Sequence, residues 1–271
     1  MAPGLDITAL AHESEAHHHD GPLPDDATLP VNPIKATPAK TPPYSATTVL
    51  DPSSVTTDFD ALRFSAAASQ QLLPTLLPYD IPLSTLLISS PYNAPGHYLP
   101  LPTLSTTSLI LAKALTALKP LRPDYATAPF LSALDFPAVL TLIRRFSAEM
   151  NAPWKESSFY VVVFRSRLKP DIDSERLYEL DAGSHREACE SGGLLKYWFG
   201  KVDEGRRNLA TCFWRTRKDA YLGGQGPWHK KARAAGKTLY EEIAFSTWRF
   251  TVTEGAGEVR LEEWREKFEK E

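Results

Sequence analysis

The stretch SSFYVVVFRSRL, residues 157–168, constrains the fold more than any other part of the chain. It is β-branched and aromatic, runs unbroken, and is closed by Pro170, so it reads as a strand. Alternation sends Phe159, Val161 and Val163 to one face and Tyr160, Val162 and Phe164 to the other. Both sets are large and apolar. A sheet containing this strand therefore needs cover on both sides.

The residues after it supply the rest of that sheet. Ser174 is positioned to cap a helix through ERLYELDAGSHREACE, with Leu177, Leu180, Ser184 and Ala188 on one side, and Gly192-Gly193 stops it. LLKYWFG and NLATCFW follow as strands around the polar loop KVDEGRR. TRKDAYLGG starts a helix broken at Gly223, Gly224, Gly226 and Pro227, WHKKARAAGKTLYEEI is a second helical run, and FSTWRFTVTE is the next strand. The closing EVRLEEWREKFEKE suits an extra strand or a short amphipathic helix. The order is βαββαβ, which predicts an α+β fold of the ferredoxin-like plan: an antiparallel sheet with two helices on one face.

Charge and proline divide the chain into three parts. Residues 1–57 carry seven acidic and two basic residues and almost no aromatics, a composition that predicts a disordered acidic tail. Its run His17–His19 reads as a solvated polar tract, and no metal site is expected. Residues 58–153 are rich in proline and leucine and predict helical and extended pieces packed on the sheet, with helices in DFDALRFSAAASQQLL, TTSLILAKALTALKP and FPAVLTLIRRFSAEM. The intervening PYDIPLSTLLISSPYNAPGHYLPLP is too proline-rich for regular structure. Residues 154–271 hold only Pro170 and Pro227 of the 23 prolines and form the expected folded domain.

Net charge is −3, which favours neither nucleic acid nor an anionic membrane as partner. The most apolar stretch is cut by Pro74, Pro78 and Pro82 and makes no spanning helix. The first residues have neither a secretory nor a mitochondrial pattern, and Cys189 and Cys212 show no CxxC spacing. A cytoplasmic protein is expected.

The run FWRTRKDAYLGGQGPWHKKARAAGKTLYEEIAFSTWRFTV, residues 213–252, resembles the second half of a dimeric α/β-barrel domain of the antibiotic-biosynthesis-monooxygenase type. Trp214, Pro227, His229, Gly236, Tyr240 and Glu241 carry that likeness. The stretch ACESGGLLKYWFGKVDEGRRNLATCFWRTRKDA also resembles an uncharacterised fungal protein family. Gly-Gly-Gln-Gly before Pro227 and the long N-terminal half depart from the small monooxygenases. The resemblance implies a cofactor-independent enzyme or binder of a small aromatic molecule, and a homodimer formed through a sheet face. In this chain residues 58–153 are expected to cover that face instead.

The resemblance also directs attention to the cleft between sheet and helices. His229 and His185 are the candidate acid–base residues there, with Tyr240 and Tyr197 as acid or orienting partners, and Trp198, Trp214, Trp228 and Trp248 as walls. Each has a plainer reading: His229 as a helix opener, His185 as a boundary residue, the tryptophans as core. The cysteines read as structural. A non-catalytic scaffold is the alternative function, and haem held by His229 a third. The cleft decides between the first two, since a filled cleft suits a scaffold and a cavity of several hundred cubic ångströms with convergent polar groups suits chemistry.

Overall fold

A computed structural model describes residues 86–92 and 94–264. The expected acidic tail and the helix at residues 58–73 lie outside the described residues. The long apolar run forms β3 (Ser157–Leu168), the centre of a five-stranded antiparallel sheet. β3 is flanked by β5 (Arg207–Trp214) and β6 (Tyr240–Val252); β4 (Leu194–Phe199) lies outside β5, and β7 (Val259–Glu263) outside β6. The closing run adds a strand over Val259–Glu263, and its residues 265–271 lie outside the described residues. Helix α4 (Ser174–Ser191) connects β3 to β4, and α5 (Arg217–Gly223) and α6 (Pro227–Leu239) connect β5 to β6. The ferredoxin-like α+β plan read from the sequence is the one observed.

Two boundaries and one unforeseen strand pair differ from expectation. The cap of α4 is Asp173, whose carboxylate accepts from the Arg176 N–H at 2.8 Å, one residue before the expected Ser174. α6 ends at Leu239, before the expected Ile243, because β3 is long enough to pair with the next residues: Tyr240 lies opposite Leu168, and Ile243 opposite Ser166. Arg167 reinforces that pairing through Glu241 at 3.0 Å and Glu242 at 3.1 Å. The proline-rich stretch does contain regular structure: β1 (Leu86–Ile88) and β2 (Tyr98–Pro100) pair as an antiparallel ribbon.

The two faces of the sheet are covered by different parts of the chain. Phe159, Val161 and Val163 pack in one cluster with Phe213 and Phe250, and with α1 (Thr106–Ala114) and α3 (Phe136–Glu149). A short α2 (Phe130–Ala133) joins the same cluster. α1 is buried all round from Ser108 to Ala114, as its near-continuous apolar sequence demands. In α3, Asp135 accepts from the Ala138 N–H at 3.1 Å and Pro137 occupies the first turn, leaving Val139, Ile143 and Phe146 inward. The face carrying Tyr160, Val162 and Phe164 lies under α4–α6.

Candidate functional site

Under α5 and α6 the sheet does not fill its cover. A cavity of about 610 Å³ lies between β3, β5 and β6 below and these helices above. Its walls are mostly apolar, including Val162, Phe164, Trp214 and Ala232, and it opens beside Phe245, which is 72% exposed. The buried titratable side chains among those walls are His229 on α6 and Tyr160, Cys212 and Tyr240 on the sheet beneath.

His229 is held by a carboxylate from another helix. Glu187 of α4 accepts from the backbone N–H of Trp228 at 2.6 Å and of His229 at 3.1 Å, and sits 2.9 Å from His229 Nδ1. It therefore does for α6 what a capping side chain normally does from within the sequence. Gly226, the N-cap residue, makes room for this: a Cβ there would stand 2.2 Å from the Glu187 carboxyl carbon. Burial pushes the Glu187 carboxyl up, but the N–H groups of Trp228 and His229 and the imidazole outweigh it and hold it below the usual range. Burial brings His229 down to about 4 despite the carboxylate. At neutral pH the pair is thus imidazole and carboxylate. Nδ1–H donates to Glu187, which leaves the lone pair on Nε2, the ring nitrogen that Glu187 does not engage.

Tyr240 adds a second polar group. Its hydroxyl is buried and has no hydrogen-bond partner among the described residues. Burial, then the charge of Asp181, raises its pKa well above the ordinary phenol, so it stays a donor. Cys212 also lines the cavity, but burial pushes its thiol up to about 12, and that of Cys189 likewise. Neither is a thiolate nucleophile at physiological pH. Among the described residues no group of three or more His, Cys, Asp or Glu side chains is arranged to hold a metal.

The other expected residues separate into two sets. His185 and Tyr197 belong to a sealed network beside the cavity. Asp181 accepts from the Tyr92 and Tyr197 hydroxyls, the latter at 2.8 Å. His185 Nδ1 lies 2.8 Å from His97 Nδ1, with the rings stacked, so one ring donates and the other accepts. Burial, with the partner ring's charge next, holds His185 well below the ordinary imidazole. His185 is fully buried and does not line the cavity. Of the tryptophans, Trp214 alone is a cavity wall. Trp198 and Trp248 pack on the opposite face of the sheet, in or against the cluster with α1 and α3. Trp228 lies flat against α4, where a Cβ on Gly183 would meet its ring at 2.3 Å, so it holds two helices together.

Glu187, Tyr92, His97 and Asp181 escaped the sequence reading. Glu187 looks like any solvated helix charge, and its partners are 41 and 42 residues away. The local signal for Tyr92 and His97 was the compact SPYNAPGHY, in which Gly96 takes φ +92 and turns the chain down onto α4.

A family model described as PB2B2.08-like matches residues 88–263, which runs from the end of β1 through β7. The chain belongs to that family. It is 38% identical over 192 residues to the UPF0643 protein PB2B2.08 of Schizosaccharomyces pombe, covering 67% of this chain and 87% of the relative. Solved structures are similar over about a third of the chain. Rv0793 of Mycobacterium tuberculosis is 21% identical, covering 34% of this chain and 92% of that one, with TM-score 0.30. A candidate antibiotic biosynthesis monooxygenase of Nitrosomonas europaea is 19% identical, covering 32% and 94%, with TM-score 0.29. A dimeric ferredoxin-like protein of unknown function from Thermobifida fusca is 11% identical, covering 35% and 92%, with TM-score 0.28. No helix among the described residues is long and apolar enough to cross a membrane.

Proposed function

We propose that the cavity binds a small, electron-rich aromatic hydroxy compound and that His229 Nε2 takes the hydroxyl proton. The observation that carries this reading is the pairing of an oriented, unprotonated imidazole and an unpartnered buried phenol on the wall of one apolar cavity. Glu187 fixes the tautomer and stabilises the imidazolium as it forms. Tyr240 donates to the oxygen that becomes negative. Trp214 and Phe164 supply flat apolar walls for the ring.

Proton removal makes the aromatic anion electron-rich enough for dioxygen to be the co-reactant. In a balanced monooxygenation of a phenol to a quinone, one oxygen atom replaces a ring hydrogen as a carbonyl. The hydroxyl becomes the second carbonyl, and the two displaced hydrogens leave with the other oxygen atom as water. His229 moves one of those protons. An open cavity with polar groups facing it favours this reading over a scaffold, for which a filled cleft is the expected arrangement.

The test uses 2-naphthol and the full chain at neutral pH, where the free compound is uncharged. An imidazole brought down to about 4 holds a naphthol proton only in passing, so 2-naphthol should bind the wild type uncharged and lose its proton as dioxygen reacts, read as dioxygen uptake and quinone absorbance. His229→Ala should bind it without the uptake, and Glu187→Gln should slow the uptake. A wild type that leaves 2-naphthol unbound, or takes up no dioxygen with it, or an uptake that survives His229→Ala, overturns the proposal.

A further inference from the structure

The cavity carries cationic groups and no acidic ones. Arg217 at the start of α5 and Arg233 on α6 line it, whereas no Asp or Glu does. The Arg233 guanidinium donates to the Gly224 carbonyl at 2.9 Å, a neutral partner, and no carboxylate pairs with it among the described residues. Its charge is therefore uncompensated by a fixed anion at the edge of an apolar space, and its remaining N–H groups are those that bind carboxylate in a two-pronged fashion.

The spacing along α6 narrows the ligand further. His229 and Arg233 are four residues apart and Gly236 three beyond, so all three share the helix face that lines the cavity. Four residues of helix rise about 6 Å. His229 is buried and Arg233 exposed, so the axis from imidazole to guanidinium runs from the depth of the cavity to its mouth. A Cβ on Gly236 would meet nothing within 4 Å, which leaves that stretch of wall clear for a flat ring.

We infer that the ligand is an aromatic hydroxy acid whose carboxylate and hydroxyl stand at opposite ends of the ring system, the carboxylate on Arg233 at the mouth and the hydroxyl at His229 and Tyr240 within. This rests on the proposed reading of the cavity and adds the acid group and its position. An ortho hydroxy acid does not fit, because its two groups lie closer together than the two side chains they must reach.

The test compares 6-hydroxy-2-naphthoate, 3-hydroxy-2-naphthoate and 2-naphthol by quenching of tryptophan fluorescence in the full chain. The 6-hydroxy acid should bind about tenfold more tightly than either of the others, a difference typical of one charged hydrogen-bonded contact, and should weaken as salt rises. Arg233→Ala should abolish the advantage and leave 2-naphthol unaffected, and Arg233→Lys should restore part of it. Equal binding of the 6-hydroxy acid and 2-naphthol, an advantage that survives Arg233→Ala, or tighter binding of the 3-hydroxy isomer overturns the inference while leaving the proton-transfer reading intact. Binding of none of the three overturns both.

Discussion

The two faces of the sheet began from equal apolar strands and ended differently. On one, Phe159, Val161 and Val163 meet α1 and α3 in a continuous core. On the other, Tyr160, Val162 and Phe164 lie under helices that leave a cavity of about 610 Å³. The first face is covered by a preceding part of the same chain, dense enough that side chains interlock. The second is covered by α5 and α6, whose inward residues include Ala220, Ala232 and Gly236 and leave the space unfilled. One face stabilises and the other accommodates. Substitutions on the two should therefore behave differently.

The sharpest way to break this contrast is Phe136→Ala. The ring is 3% exposed and packs against Phe130, Phe213 and Phe250. The expected loss is about 3–5 kcal/mol in urea unfolding, because the cavity left behind cannot collapse. A loss below about 1 kcal/mol would mean that α3 is not integral to the core.

Acid should act through the helix-covered face. His97 and His229 are both brought down to about 4 by burial, and His185 is also lowered. Unfolded histidines take up protons near pH 6.5, before the folded ones do, so the unfolded state binds more protons as pH falls from about 6.5 to 4. Stability should be insensitive to these groups above pH 7 and decline through that window, by about 3 kcal/mol for each of His97 and His229. His97→Phe should flatten the decline, and equal slopes in the variant and the wild type would refute the assignment.

A smaller effect is expected on the closed face, where Lys196 is fully buried and its ammonium nitrogen has no hydrogen-bond partner among the described residues. Burial brings it down to about 7. The unfolded lysine keeps its proton to about 10.4, so this group lowers stability progressively as pH falls from that value towards 7. Lys196→Met should add about 1–2 kcal/mol at pH 7, read from the urea midpoint, and less at pH 10. The least change should come from Gly236→Ala, which adds a methyl to open space inside α6. A gain of about 0.5–1 kcal/mol in stability is expected, together with weaker ligand binding. Destabilisation by this variant would show the wall to be packed.

The fold was legible where neighbouring residues decide it. Residues 157–168 could be nothing but a doubly covered strand, and Pro227 and Gly192 punctuate their helices as composition demands. Legibility failed where distant partners decide. β1 and β2 are short strands among prolines, held in part by the Tyr197 N–H donating to the Ser89 carbonyl at 2.8 Å. The sequence identified His229 and Tyr240, which line the cavity, and His185 and Tyr197, which do not. The segment carrying Tyr92 and His97 seals the latter pair, and no periodicity in α4 or β4 reports it. Trp198 and Trp248 were expected beside Trp214, yet Trp198 faces the other way: a bulge between Leu194 and Lys196 sets its facing, opposite Thr211.

Glu187 grips the first N–H groups of α6 and the imidazole of that same first turn with the same two oxygens. Backbone and base are thereby clamped to α4 as a unit. Any breathing that admits a bulkier guest must come from the far end of α6 or from α5, hinging about an anchored proton acceptor, so the entrance can widen without the chemistry losing its aim.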